Sequence, residues 1–415
     1  MKKALALTAL AAACSASVGQ TMTDNVRVYG LVDIGVNSVS GMKGGTDNSV
    51  VSGIMEGSRV GVRGEEEIGR GYRALFRLES RLEADTGNTG NRPASGNQVP
   101  DRLSSAEALG LPAALNPAVT AVAASLGNQI GVNLRGAFWD RSAYVALVTP
   151  VGGFILGHQY TPAYEMVFSF DTLATQSSLS VGQIAAIPAG LEFRASNALQ
   201  YRIEQGPISA SAMYAFGEVP GSDSATRFWG FNAKYEGDLY GIGLGYNERN
   251  NELGEKALRS TIFGAKAKAG PGTVGVLVGQ IKDDNPAGLS TIAPSLTPVI
   301  GPVFAQAVQD AFVGALKQDA MLYQIGYKWT TGRNTVYVAY NRFDDKTTAN
   351  ADVQSYGIVY TYELSKRTDI NAVLTRFDNS SNGQAAPGGA GFLGGVTESA
   401  GTDSTNVAIG IRHRF

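Results

Sequence analysis

Residues 58–80, SRVGVRGEEEIGRGYRALFRLES, alternate with a period of two. Val60 and Val62 share one parity, and Arg59 and Arg63 share the other. Beyond a Gly-containing turn, Tyr72, Phe76 and Leu78 lie opposite Arg73 and Arg77. Period two marks a strand, because successive side chains point to opposite faces of a sheet. The stretch therefore predicts a hairpin with one apolar face and one arginine face.

The alternation recurs from Val26 onward in segments of about ten residues, the length of a tilted strand that crosses a bilayer. Short connections fall at 66–71, 149–153, 205–207, 236–238, 269–272, 330–334 and 364–367. They carry Gly, Pro, Asn or Asp, the residues that tight turns require. Longer connections fall near 37–57, 84–136, 161–195, 217–225, 250–258, 283–319, 346–352 and 378–403. Seven short turns and eight long loops separate sixteen strands, with all the short turns at one end of the sheet.

The faces then decide the solvent. Tyr323, Ile325, Tyr327 and Trp329 share a face opposite Gln324, Gly326 and Lys328. Tyr356, Ile358, Tyr360 and Tyr362 oppose Ser355, Gly357 and Thr361. Trp229, Phe231 and Tyr235 oppose Asn232, Lys234 and Glu236. Aromatic rings near strand ends suit a headgroup layer. A soluble sandwich needs a continuous apolar interior, whereas here a polar face recurs along the whole chain. In lipid such a sheet must close, since an open edge leaves backbone groups unpaired. About sixteen strands enclose a lumen wide enough for water. The expected fold is all-β, a sixteen-stranded antiparallel transmembrane barrel with the apolar face outward.

Composition sharpens this picture. The chain has 415 residues, 52 of them Gly, only 17% charged, with a formal net charge of −2. That balance gives no basic bias toward nucleic acid. The start, MKKALALTALAAACSASVGQ, has a charged region, a short apolar stretch and a small-x-small site, which predicts a cleaved signal peptide over 1–16 and a barrel over 17–415. Cys14, the one cysteine, lies in that signal and leaves no disulfide framework; lipidation at Cys14 is the competing reading. The uncharged stretches 108–126 and 285–309 are interrupted by Pro, so they read as loops with short helical pieces rather than spanning helices.

With these elements in place, the chain resembles the general-diffusion outer-membrane porins of Gram-negative bacteria, in the beta-proteobacterial branch. The resemblance is carried by VRVYGLVDIGV (26–36), GSRVGVRGEEEIGRGYRALFRLES (57–80), DRSAYVALVTPVGGFILGHQYTPAYE (140–165), SNALQYR (196–202), MYAFGEVPG (213–221) and IGIRHRF (409–415), in that order. It implies a homotrimer among outer-membrane lipids that passes ions and small hydrophilic solutes passively. It also implies a third loop, about 161–195, folded into the lumen as a constriction. The terminal Phe415 would be read by the barrel-assembly machinery.

Arg59, Arg63, Arg73, Arg77 and Arg202 have the polar parity of their strands; Arg141 opens a strand whose alternation is less regular. Arginines in a narrow low-dielectric channel attract anions. The resemblance implies a basic ladder from Arg59, Arg141 and Arg202 facing the third loop. The competing reading pairs some of these with Glu65, Glu79 or Glu204. On the loop, Glu165 and Asp171 are the early acids, which would set a transverse field or else be solvated or pinned to neighbouring amides, and Glu192 sits near the exit. His158 stands where the family usually has Arg. In the lumen it would add anion preference at acid pH, but its parity, shared with Phe154 and Leu156, favours a place at the rim.

Catalysis is not expected. His158 and His413 are the only histidines; Ser142, on the strand next to His158, is the nucleophile a barrel hydrolase would use, but no nucleophile elbow is present. GIGLG (241–245) lacks nucleotide-loop spacing and reads as a Gly-rich lumen face. No His/Cys cluster predicts a metal, and no cofactor is implied. The second loop (84–136) and the sixth (283–319, with a helix-like piece at 303–317) are extended. The second would strengthen a trimer or cover the vestibule. Two alternatives follow: a substrate-specific channel with a solute-binding site, and a non-conducting adhesive barrel.

Overall fold

The computed structural model describes residues 25–185, 190–389, 391 and 394–415. The expected signal peptide lies outside the described residues.

The alternating segments form one closed antiparallel sheet. Strand β1 is Arg27–Met42, and β2 runs in two pieces, Gly45–Ser52 and Arg59–Gly69. Then follow β3 (Tyr72–Arg81), β4 (Ser142–Thr149), β5 (Gly152–Tyr160), β6 (Arg194–Gln205), β7 (Ile208–Ala215) and β8 (Phe228–Glu236). The second half is β9 (Tyr240–Asn250), β10 (Lys256–Ala269), β11 (Gly272–Asp283), β12 (Gln318–Thr331), β13 (Asn334–Asp345), β14 (Val353–Glu363), β15 (Thr368–Asn379) and β16 (Ser404–Arg414). Each strand pairs with its neighbours in sequence, and β16 closes on β1 from Leu31↔Arg414 to Val39↔Asn406. Sixteen strands are as the pattern predicts, and so is the alternation of short and long connections after the first one.

Faces follow parity. Val36, Val145, Leu156, Ile325, Ile358 and Ile409 are exposed on the outside, while Gln324, Ser355 and Asn406 are buried on the inside. Turn chemistry fits too: Gly69, Arg70 and Gly71 all have positive φ, so glycine on either side of Arg70 lets β2 reverse tightly into β3.

The first long connection differs from its expected span of 37–57. Strands β1 and β2 continue to a tight turn at Lys43–Gly44, because residues 37–42 and 45–52 keep the alternation and pair with each other. Instead β2 leaves the ladder at 53–58. The Asp33 carboxylate explains the break: it accepts the amides of Ile54, Met55 and Glu56 at 3.0, 2.9 and 2.7 Å. A charged acceptor on three consecutive N–H groups replaces the strand hydrogen bonds that segment forgoes.

Among the described residues four α-helices sit in the long loops: α1 (Asn116–Gly127), α2 (Pro162–Phe170), α3 (Ile292–Ile300) and α4 (Pro302–Leu316). Among the described residues no helix is long and apolar enough to cross a membrane. Helix α1 of the second loop packs on α3 and α4 of the sixth through Val119, Val122, Leu289, Ile292, Val308 and Phe312. Arg102 ties the two loops by donating to the Ala315 carbonyl at 2.9 Å. The apolar insertion in the second loop therefore buries itself over the mouth of its own barrel.

Candidate functional site

The lumen is lined unevenly. Inward polar residues of the far wall, Asn341, Ser355, Thr375 and Asn406, are buried, whereas Arg77 and Arg202 on β3 and β6 keep 37% and 32% of their side-chain exposure. An inward side chain of a closed barrel is exposed only to lumen water. The open passage therefore lies against β2–β6, and loops fill the other side.

The third loop does most of that filling. Helix α2 lies on the inside of β8–β11, where the Ala163 amide donates to Asn247 Oδ1 at 3.0 Å and Asn232 Nδ2 donates to the Pro162 carbonyl at 3.0 Å. A lane of glycines seats it. A Cβ on Gly243 would lie 2.5 Å from Phe170 Cε2, and one on Gly264 2.3 Å from Phe170 Cβ. These distances are far below carbon contact, and a Cβ on Gly245 would lie 2.8 Å from Met166 Cγ, so Gly243 and Gly245 of GIGLG are glycine because the helix rests on them. Beyond α2 the Thr172 amide donates to Gln324 on β12 at 2.8 Å. Ser178 then bonds Thr375 and Asn406 at 2.8 and 2.7 Å. The loop tip reaches the break in β2, where Gln176 Nε2 donates to Glu56 at 3.0 Å and the Ser177 amide to the Met55 carbonyl at 3.1 Å. Residues 186–189 of this loop lie outside the described residues.

Opposite stands a belt of arginines. On the β1–β3 sheet Arg27 pairs in register with Arg63, Arg63 with Arg77 and Arg59 with Arg81. Like charges directly opposite one another are destabilising, so this packing costs stability unless carboxylates intervene. Glu79 does intervene, with Arg141 Nε and Arg77 Nη2 at 2.8 and 2.9 Å, Arg59 Nε at 3.8 Å and the Tyr29 hydroxyl at 2.8 Å. Glu56 holds Arg59 and Arg412 at 2.8 Å each and Arg414 at 3.1 Å. Asp369 holds the same Arg412 and Arg414 at 3.0 Å. Five arginines thus share three carboxylates, leaving net positive charge on the wall. Arg63 adds to it: it lies 5.3 Å from the Tyr29 ring and makes no salt bridge among the described residues.

The predicted residues therefore separate. Arg59, Arg63 and Arg77 come together on the wall. Arg141 belongs to the same cluster but is buried against Glu79 and Tyr160. Arg202 pairs with Glu165 on α2 and lies 3.8 Å from Glu204. Arg73 stands apart near the short-turn rim with Glu65 and Glu67. The pairings with Glu65, Glu79 and Glu204 weighed against a pore role all form.

One expected placement needs correction. Asp171 does not face the arginine wall: its carboxylate accepts the Leu173 and Thr175 amides, the Ser180 hydroxyl and Gln324 Nε2 at 2.7–3.1 Å. Burial raises its pKa, with those donors opposing. It is a pin inside the loop. Glu192 is paired with Arg249, and burial raises its pKa against that partner. His158 lies on the outer parity near the loop rim, its ring nitrogens 2.9 Å from Ser196 Oγ and 3.0 Å from the Asp140 carbonyl. Ser142 is paired with Glu79 on the inner parity, so Ser142 and His158 occupy opposite faces of the sheet. Phe415 closes the barrel seam, exchanging backbone hydrogen bonds with Gly30 at 3.2 and 3.1 Å while its ring remains half exposed.

Sequence reading missed Glu56, Asp369, Arg412 and Arg414. The last two were visible as alternate residues of the terminal IRHRF; their acidic partners are distant in sequence and were not. Among the described residues no group of His, Cys, Asp and Glu is arranged to hold a metal.

The family model described as Gram-negative porin matches residues 6–382. An outer membrane porin protein of Bordetella pertussis is 25% identical over the full length of both chains. Outer membrane porin protein 32 of Delftia acidovorans is 26% identical, also over both full lengths. Among solved structures, the anion-selective porin from Comamonas acidovorans superposes with a TM-score of 0.69 at 21% identity, covering 94% of this chain and all of that one. Outer-membrane expressed OmpT of Vibrio cholerae has a TM-score of 0.56 at 13% identity, covering 96% of this chain and all of its own.

Proposed function

Because the chain belongs to the Gram-negative porin family, whose members form water-filled channels in the outer membrane, we propose that its channel prefers anions and that the arginine wall sets this preference. One observation carries the reading. The passage runs along β2–β6, where Arg59, Arg77 and Arg141 share Glu79, and Arg59 shares Glu56 with Arg412 and Arg414 of the adjoining β16. Positive charge beside a water lane narrowed by low-dielectric protein lowers the barrier for anions and raises it for cations. The Comamonas porin, which has the same fold, is described as anion-selective.

In this mechanism the third loop, seated on its glycine lane, narrows the lumen from β8–β12. Glu165 fixes Arg202 at the helix edge, and the Glu56–Gln176 contact fixes the loop tip against the belt. An anion entering beside the loops passes Arg59, then Arg77 and Arg63, exchanging part of its hydration shell for guanidinium donors. Glu79 stops the arginines from repelling one another without cancelling their charge. Family and fold indicate a channel rather than an enzyme. The apolar outer strip formed by Val36, Val50, Ile358, Leu374, Val407 and Ile409 supports assembly into a homotrimer. The exposed terminal Phe415 supports a role in recognition by the assembly machinery.

Charge reversal at Arg59 tests the proposal. The Arg59→Glu channel shifts its reversal potential toward cations in a planar bilayer under a salt gradient. An unchanged reversal potential overturns the assignment.

A further inference from the structure

A second basic cluster lies under the tip of α2, near the short-turn rim and away from the arginine belt. Lys234, Lys266 and Lys328 line a cleft of about 440 Å³ together with Glu236, Phe170 and Thr172, a volume typical of small-molecule pockets. The three lysines stand near the short-turn ends of β8, β10 and β12. Between the last two, Gly275 pairs with Lys266 on one side and Gly326 on the other. A side chain at Gly275 would collide with Thr172 Oγ1 at 2.8 Å, so glycine keeps both the loop seated and the space between the lysines open.

Charge in the cleft is unbalanced. Glu236 bridges Lys234 and Lys266, and Lys328 makes no salt bridge among the described residues. Lys266 is steadied by the Ser169 carbonyl at 3.1 Å and the Phe170 ring at 5.5 Å. Lys328 lies 5.4 Å from the Tyr337 ring. Carbonyls and rings orient an ammonium without cancelling its charge. Of the two carboxylates that line the cleft, Glu236 pairs with two of the three ammonium groups and Asp171 is held by donors of its own loop and by Gln324, so Lys328 keeps its charge and each lysine keeps a donor for an anion.

We propose that this cleft is a transient binding site for small dianions, phosphate or dicarboxylate, at the short-turn side of the constriction. A monovalent halide has too little charge and too few acceptors to engage separate ammonium groups at once, whereas a dianion bridges Lys266 and Lys328. The inference rests on the channel reading above. It adds a saturable step for dianions to a passage otherwise open to chloride.

The test uses the full-length protein in planar bilayers, with inorganic phosphate or succinate added from the short-turn side while chloride carries the current. Both dianions reduce the wild-type chloride current in a saturable way. Lys266→Gln and Lys328→Gln each raise the half-blocking concentration about tenfold, the loss expected for one charge-assisted contact, and Lys328→Arg restores most of the block. Arg59→Gln alters selectivity but leaves the half-blocking concentration within about twofold. Block by phosphate alone identifies a phosphate site, and equal block by both identifies a general dianion site. A block unchanged in both lysine variants, or lost instead in Arg59→Gln, overturns the inference while the channel reading stands. A wild-type protein that passes no chloride overturns the channel reading itself. Normal chloride conductance in each variant shows that it has folded and inserted.

Discussion

Gly264→Val puts the seating of the third loop under direct mechanical test. Gly264 faces the lumen on β10, and the new Cβ would lie 2.3, 2.4 and 2.6 Å from Cβ, Cγ and Cδ2 of Phe170. Apolar carbons settle near 3.5 Å, so α2 must retreat by about 1 Å or Phe170 must leave its site. Phe170 is 1% exposed; expelling such a ring costs about 2–3 kcal/mol, which changes the seated fraction of the loop by roughly 30- to 150-fold. Valine favours strand structure, so β10 itself is not weakened. The expected result is a barrel that still assembles but passes current with a changed unit conductance and frequent partial closures. Gly153→Val is the control, since its added Cβ meets nothing closer than 3.9 Å. Single-channel recordings of the two variants decide the matter. If Gly264→Val is indistinguishable from Gly153→Val, the glycine lane does not hold the loop.

Glu79→Gln removes the shared counter-charge of Arg77, Arg141 and Arg59 and lowers barrel stability by about 3 kcal/mol, read as the urea midpoint of unfolding, while anion preference rises; unchanged stability would show that the arginines have other partners. The raised pKa of Asp171 gives a stability contribution that is complete below the unfolded value of ~3.9 and is lost as pH rises through the folded value. Wild type therefore gains on Asp171→Asn as pH falls from neutral toward 4, in paired unfolding curves; a pH-independent difference contradicts this. His158→Ala leaves the acid-side selectivity unchanged, because the imidazole is on the outer face; a lost pH response would place it in the lumen. Phe312→Ala, at a fully buried position of the helical cap, costs about 3–5 kcal/mol locally and exposes the sixth loop to limited proteolysis with the barrel intact; unchanged cleavage would mean that the cap does not depend on that contact.

Strand number, closure and the inside–outside rule were legible because each rests on period two and turn chemistry, which are local. Parity alone put His158 with Phe154 and Leu156, and that is where its ring lies. It also put Arg59, Arg63 and Arg77 inward. What parity could not convey was the partner of each charge. Asp171 looked like a pore acid because it is a carboxylate on the right loop; its role as a pin depends on Gln324, 153 residues away. Parity gives Asp33 no more than an inward face, yet it breaks β2 by capturing three amides. The loops were least legible. The apolar run of the second loop was compatible with a neighbouring subunit or with its own vestibule, and the contact with α4 depends on residues almost two hundred positions away. GIGLG shows the opposite case: the pattern was plain, and only the Phe170 ring above it supplied the reason.

The most direct test is the zero-current potential of the wild-type channel across a potassium chloride gradient. A lumen that runs along an arginine wall predicts the sign of an anion-preferring pore, shrinking as salt screens the wall. The opposite sign, or a value that salt does not alter, would contradict the account.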